Sequence, residues 1–226
     1  MGLIKGLIFD FDGLILDTEE PSFSAWAQMY NEYGVSLDIQ AWAGGLGSSE
    51  AGFNPVTHLE GLLNKRVDAA SLRNTARIVA DRKILELLPL PGVEKTILSA
   101  RQSGLKLAVA SSSPRSWVAG HLKRLDLYQY FDCIVCMEDV PEVKPAPDLF
   151  LAALSGLGIN PQEALIFEDS PNGITAGRRA NTFTIAIPNI VSRQLDLSHA
   201  NLILDRIDEI PLSEILNTAE KVPVSW

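Results

Sequence analysis

Leu7-Ile8-Phe9-Asp10-Phe11-Asp12-Gly13 is the stretch from which the rest of the chain can be read. From Leu3 to Phe9 the residues are apolar nearly throughout, as expected of a strand covered on both faces. Two carboxylates follow at once. Burying them beside such a strand is unfavourable unless something compensates, and Gly13 permits the sharp turn that ends the run. In such a pair one carboxylate can attack an electrophile while the other moves protons. Taken alone, the same residues could be turn or capping aspartates, so the remaining sequence has to decide.

Further along, the apolar runs Lys106 to Ala110, Asp132 to Cys136, Ala164 to Phe167, Thr182 to Ile187 and Asn201 to Leu204 read as strands. Helical patterns separate most of them, at Pro91 to Gln102, Pro114 to Leu125, Pro147 to Leu157 and Pro171 to Asn181. Several open on proline, which is favoured at the first helical position. Strand–helix alternation predicts an α/β fold with a doubly wound, Rossmann-like parallel sheet. One stretch departs from it. Between Asp17 and Leu88 only helical patterns occur, near Glu20 to Tyr33, Pro55 to Asn64 and Ala69 to Leu88. We therefore expect a core domain formed by residues 1–16 and 89–226 and an inserted helical cap domain, residues 17–88, with hinges at Leu16-Asp17 and at Leu88-Pro89-Leu90-Pro91-Gly92.

In open α/β sheets ligands bind beyond the carboxyl ends of the strands. Four strand ends lead into chemically capable residues: Asp10 and Asp12, Ser111, the loop with Lys144, and Glu168-Asp169. Each has an ordinary reading in isolation. Ser111 could cap the next helix, Lys144 could be a solvated loop lysine, and Glu168-Asp169 could cap the helix that begins near Pro171. Their convergence on one sheet edge is the stronger signal.

At these residues the chain resembles the haloacid dehalogenase superfamily, in its phosphatase and β-phosphoglucomutase branch. The resemblance rests on Phe9-Asp10-Phe11-Asp12-Gly13-Leu14-Ile15-Leu16-Asp17-Thr18-Glu19, Val109-Ala110-Ser111-Ser112-Ser113, Lys144-Pro145-Ala146-Pro147-Asp148 and Phe167-Glu168-Asp169-Ser170-Pro171-Asn172-Gly173, in the family's order. It implies that Asp10 becomes an aspartyl phosphate. Asp12 would protonate the leaving oxygen and then deprotonate water, Ser111 would hydrogen-bond the phosphoryl group, and Lys144 would neutralise charge. It also implies a magnesium ion held by Asp10, Asp169 and the backbone carbonyl of Asp12, with Glu168 in or just outside that shell. Two like charges ~4 Å apart repel by about 4 kcal/mol at an effective dielectric of about 20. Lys144 alone cannot cancel three carboxylates and a phosphate, and a set of oxygen ligands suits magnesium better than zinc.

The formal net charge of −9 disfavours nucleic acid and anionic membranes as partners. No apolar stretch is long enough for a membrane span, and the start does not read as a signal peptide, so a cytoplasmic protein is expected, as a monomer or weak dimer. Cys133 and Cys136 have redox or zinc spacing, but they fall in an apolar strand and no second cysteine pair exists. The three histidines are scattered. The expected function is hydrolysis of small phosphorylated metabolites, sugar phosphates or similar.

A phosphosugar mutase is the nearest alternative. A dehalogenase would leave Asp12 without a role, and a non-catalytic phosphometabolite sensor would be expected to have a broken motif, which is not seen. The related mutases place a histidine and an arginine where this chain has Ser22 and Ser48 or Ser49, and no lysine or arginine occurs from Asp17 to Asn64. Arg115 or the later cap helix could compensate. There Arg66, Arg73 and Arg77 share a helical face by spacing, which reads first as a solvated face. Gly44-Gly45-Leu46-Gly47-Ser48-Ser49 resembles the family's specificity loop. Trp26 and Trp42 could line the pocket or fill the cap core, and the core is the first reading for each.

Overall fold

The computed structural model describes residues 4–44 and 53–221. Its centre is a six-stranded sheet in the order β3-β2-β1-β4-β5-β6, with every pairing parallel. The strands are β1 (Gly6–Phe9), β2 (Lys106–Ala110), β3 (Cys133–Val135), β4 (Ala164–Glu168), β5 (Phe183–Ala186) and β6 (Leu202–Ile203). The central strands β1 and β4 are buried at every residue. That explains the apolar character they keep until Glu168 at the end of β4: helices cover both faces, so no position is left for alternating polar residues.

The strand order reverses at β1. The chain builds outward through β2 and β3, then returns to lay β4 against the other side of β1. The register pairs Phe9 with Phe167, so Asp10, just past β1, and Glu168, the last residue of β4, emerge side by side. This is the topological switch point, where a crevice opens beyond the strand ends.

After β1 the described chain forms four helices before it returns to the sheet region: α1 (Glu19–Glu32), α2 (Ile39–Ala43), α3 (Pro55–Leu63) and α4 (Ala69–Glu86). Asp38, Asn54 and Asp68 cap the last three by accepting first-turn amides, which satisfies donors that the helix itself cannot. α4 packs against α1. Its buried residues Leu72, Ala76, Ala80 and Ile84 recur every four positions and form one face. Tyr30 of α1 donates to the Pro55 carbonyl at 2.7 Å and so ties α1 to α3. The chain leaves and re-enters the sheet region at one place, where the Leu90 amide donates to the Ile15 carbonyl at 2.9 Å. A continuous apolar cluster runs from Leu7 and Phe9 through Leu14 and Ile15 to Tyr30, Leu59 and Leu72.

The remaining helices are α5 (Val93–Gln102), α6 (Arg115–Arg124), α7 (Asp148–Leu157), α8 (Pro171–Arg179) and α9 (Leu212–Lys221). The prolines expected at first helical positions fall into three groups. Pro55 and Pro171 occupy that position, whereas Pro114 and Pro147 stand one residue earlier as caps. Pro91 precedes the α5 cap, Gly92, whose φ of 90° suits glycine. The five-residue α2 and the C-terminal α9 were not anticipated from periodicity. Cys133 opens β3 and Cys136 lies just past its end, both as free thiols. Burial pushes both thiols up, Cys136 to about 11, the opposite of what a redox thiolate needs. Among the described residues no helix is long and apolar enough to cross a membrane.

Candidate active site

Asp10 leaves the end of β1 with its amide bonded to the Phe167 carbonyl at 3.0 Å. Its carboxylate accepts a hydrogen bond from Lys144, whose ammonium also reaches Glu168 Oε1 at 2.6 Å. All three residues are buried. Glu168 closes β4, and its second oxygen accepts from the Asp169 amide (3.0 Å), the Ser170 amide (3.1 Å) and the Ser170 hydroxyl (3.0 Å). These donors sit at the start of α8, where the helix dipole favours a carboxylate. Gly173 makes the approach feasible, because a Cβ there would overlap the Glu168 carboxylate. The helix cap proper is Ser170, which accepts from the Gly173 amide at 3.1 Å. The alternative that Glu168 and Asp169 form the capping pair is thus set aside.

Asp169 is buried beside this pair, and Asn189 donates to its Oδ2 at 2.7 Å. The same amide group donates to the Gly13 carbonyl at 3.2 Å. Gly13 has φ of 80°, and a Cβ there would run into Asp169 and Asn189. The glycine after the two aspartates therefore provides closeness as well as turning.

Carboxylate oxygens of Asp10, Glu168 and Asp169 lie within 4.8 Å of one another. Burial pushes Asp10 up to about 8, opposed by Lys144 and reinforced by Glu168 and Asp12. Burial also raises Asp169 well above the usual carboxylate range, helped by Glu168 and Asp10. For Lys144 burial acts downward, yet its two carboxylate partners outweigh it and hold the ammonium charged. With one cation among three buried acids, Asp10 and Asp169 can ionise together only when further positive charge is supplied. Hard oxygen donors at this spacing suit a divalent cation such as magnesium, so the residues fit the expected ion.

Asp12 sits apart from this cluster and faces the crevice. Its Oδ1 accepts from Thr18 Oγ1 at 3.0 Å and from the indole Nε1 of Trp117 at 2.9 Å. Its Oδ2 accepts from Ser113 Oγ at 2.6 Å and, more loosely, from Ser111 Oγ at 3.4 Å. Ser111 is buried just beyond β2 and accepts the Ser113 amide at 3.0 Å. It does not cap α6, since Pro114 holds that position.

The crevice is a cavity of about 770 Å³, ample for a phosphorylated metabolite. Asp12, Ser113 and Trp117 line its core side; Glu19, Ser22, Trp26, Trp42, Arg73 and Arg77 line the helical side. Two expectations gain detail here. Trp26 and Trp42 pack on the apolar cluster only in part and also wall the cavity. Of the three arginines read as a solvated face, Arg73 and Arg77 are exposed and also border the cavity, while Arg66 precedes α4 and pairs with Glu60 at 2.9 Å. Arg77 lies 3.6 Å from Asp81. Arg115 is engaged elsewhere, by Asp139 and the Ile134 carbonyl. Ser48, Ser49 and most of the glycine-containing loop lie outside the described residues.

Sequence reading missed Trp117, Ser113, Thr18, Glu19 and Asn189. Ser113, Thr18 and Glu19 were inside quoted motifs without a role. Asn189 follows β5 at the same sheet edge, which was the available signal. Glu19 is pushed up to about 7 by burial, with Asp12 and Asp17 adding to the effect.

Comparison with known proteins identifies a family. Residues 7–187 match the family described as haloacid dehalogenase-like hydrolase. YhcW of Bacillus subtilis (strain 168) is 38% identical over 215 residues, covering 95% of this chain and 97% of that protein. The fructose-1-phosphate phosphatase YqaB of Escherichia coli (strain K12) is 34% identical over 176 residues, covering 77% of this chain and 92% of its own. Among solved structures, the β-phosphoglucomutase (pgmB) of Clostridium difficile superposes with a TM-score of 0.70 at 25% identity, covering 96% of this chain and 98% of the other.

Proposed function

The chain belongs to the haloacid dehalogenase-like hydrolases, and we propose that it is a magnesium-dependent phosphatase of small phosphorylated metabolites, sugar phosphates foremost. The observation that carries the proposal is the pairing of two differently housed carboxylates. Asp10 is buried against Lys144 among acids, whereas Asp12 faces the cavity in a cage of hydrogen-bond donors. The first environment suits a nucleophile under a positive field, and the second suits a group that exchanges protons with a bound ester. YqaB is named for fructose 1-phosphate, which supports a sugar phosphate as the kind of substrate.

In this reading an Asp10 oxygen forms a bond to phosphorus as the ester oxygen departs, and Asp12 gives that oxygen its proton. Asp12 then takes a proton from the water that attacks the aspartyl phosphate, which releases inorganic phosphate and restores Asp10. Lys144 and Ser111 hold the phosphoryl group. Asp10, Asp169 and the Asp12 carbonyl would hold magnesium, with Glu168 in or just outside that shell; when bound, the ion supplies fixed positive charge to the phosphoryl oxygens. Splitting the displacement in two under a preorganised field addresses a reaction that is among the slowest uncatalysed ones. Residues 17–88 act as the cap that closes over the ester and excludes water.

One observation favours a second reading. Arg73 and Arg77 face the cavity, so a cation for a distal phosphate exists despite the serine at position 22, and a phosphosugar mutase could use it. A single experiment separates the two. The purified protein is supplied with magnesium and a panel of sugar phosphates, including β-glucose 1-phosphate with catalytic glucose 1,6-bisphosphate. Magnesium-dependent phosphate release is expected. Rapid glucose 6-phosphate formation with little free phosphate would overturn the phosphatase reading.

A further inference from the structure

We infer that Trp117 is a positioning residue for Asp12, and that its indole N–H fixes which Asp12 oxygen carries the transferred proton. The inference rests on the acid–base role proposed above for Asp12.

Among the described residues Asp12 has four donors, and they differ in kind. Thr18, Ser111 and Ser113 offer hydroxyls. A hydroxyl can rotate and become an acceptor, so its bond survives whether the carboxyl is protonated or not. The indole of Trp117 is a donor only. At 2.9 Å from Asp12 Oδ1 it keeps that oxygen an acceptor in both states. The proton is thereby assigned to Oδ2, where Ser113 at 2.6 Å can reverse its role and accept.

The ring cannot easily turn away. Trp117 lies in the first turn of α6, and His121, one turn on, meets it edge to face at 4.3 Å between centroids. His121 is itself buried and lies 6.2 Å from Phe11, the residue between the two aspartates. Trp117 thus connects the rigid start of α6 to Asp12, while Thr18 approaches the same oxygen from the beginning of the helical insertion. A preorganised donor of this sort keeps a reacting group within the narrow range of productive geometries.

The test is Trp117→Phe, which keeps an aromatic wall and removes the N–H. Burst-phase phosphorylation is measured with an alkyl phosphate and with p-nitrophenyl phosphate, whose leaving group needs no proton. The expected result is a fall of about tenfold or more in the alkyl burst rate, since a positioned acid contributes roughly 10²–10⁴-fold, with a small change in KM and a nearly unchanged p-nitrophenyl burst. A changed KM with unchanged burst rates, or equal loss for both substrates, would show a mere wall and overturn the inference. Asp12→Ala run alongside separates the layers. If it selectively slows the alkyl ester and Trp117→Phe does not, the positioning role alone falls; if it slows both equally, the acid role falls too. A second measurement uses the unsubstituted indole. Its N–H resonance should lie downfield and exchange slowly, and lose both properties in Asp12→Ala. An indole signal indifferent to Asp12 contradicts the inference.

Discussion

Lys144 lies 2.6 Å from Glu168 and bonds Asp10 with the same ammonium, in a place where all three are buried. Lys144→Met would leave three acids facing one another. Breaking a buried pair costs about 3–5 kcal/mol. Urea unfolding of the metal-free variant should show a loss of that order together with lost turnover. Magnesium should recover part of the stability, because it binds the folded site. An unchanged unfolding midpoint would contradict the assigned ion pairs.

Asn189 holds Asp169 by one oxygen at 2.7 Å. Groups that orient metal ligands typically contribute 10–100-fold to affinity. Asn189→Ala should therefore raise the magnesium concentration needed for half-maximal activity by about that factor. The magnesium-induced rise in melting temperature should need a correspondingly higher concentration. If both curves overlay those of the parent protein, Asn189 does not support the site.

Gly173 and Gly120 give a paired test of packing. A Cβ at Gly173 meets the Glu168 carboxylate, whereas one at Gly120 meets nothing within 4 Å. Gly173→Ala should lose about 1–3 kcal/mol from overpacking and most of its activity, as Glu168 is displaced. Gly120→Ala should be neutral or gain roughly 0.4–1 kcal/mol. Equal stability of the two variants would argue against the fit of α8 on Glu168.

Much of this was legible in the sequence, for physical reasons. Strands buried on both faces write themselves as apolar runs, so β1 and β4 were plain, and the four motif segments met at one edge because parallel strands share a carboxyl end. Other features depend on distant contacts. Arg73 and Arg77 were visibly on one face, but that this exposed face borders the cavity depends on how α4 packs against α1. Trp117 reads as an ordinary aromatic of an amphipathic helix until its N–H is seen against Asp12. The α2 helix is too short to display a period.

Glu19 supplies a pH test. Its carboxyl, raised to about 7 by burial and by Asp12 and Asp17, is neutral below that value and ionised above it. A raised carboxyl contributes stability that is present at low pH and lost as pH rises through about 7. In the cavity the ionised form repels a phosphate ester, so KM should climb across this range. Glu19→Gln should flatten the rise. The ester's own ionisation is common to both proteins and cancels in the ratio of their KM values. A ratio that stays constant with pH would remove Glu19 from the account.

The central claim is that Asp10 becomes phosphorylated. Asp12→Ala lacks the group that activates water for the second step, so with p-nitrophenyl phosphate and magnesium it should accumulate the intermediate. Rapid acid quenching followed by peptide mass spectrometry reads this directly. The account predicts the mass of one added phosphoryl group on the peptide containing Asp10, absent when Asp10→Asn is combined with Asp12→Ala. Phosphate release by an Asp10→Asn protein at the parent rate, or a phosphoryl group on another residue, would contradict it.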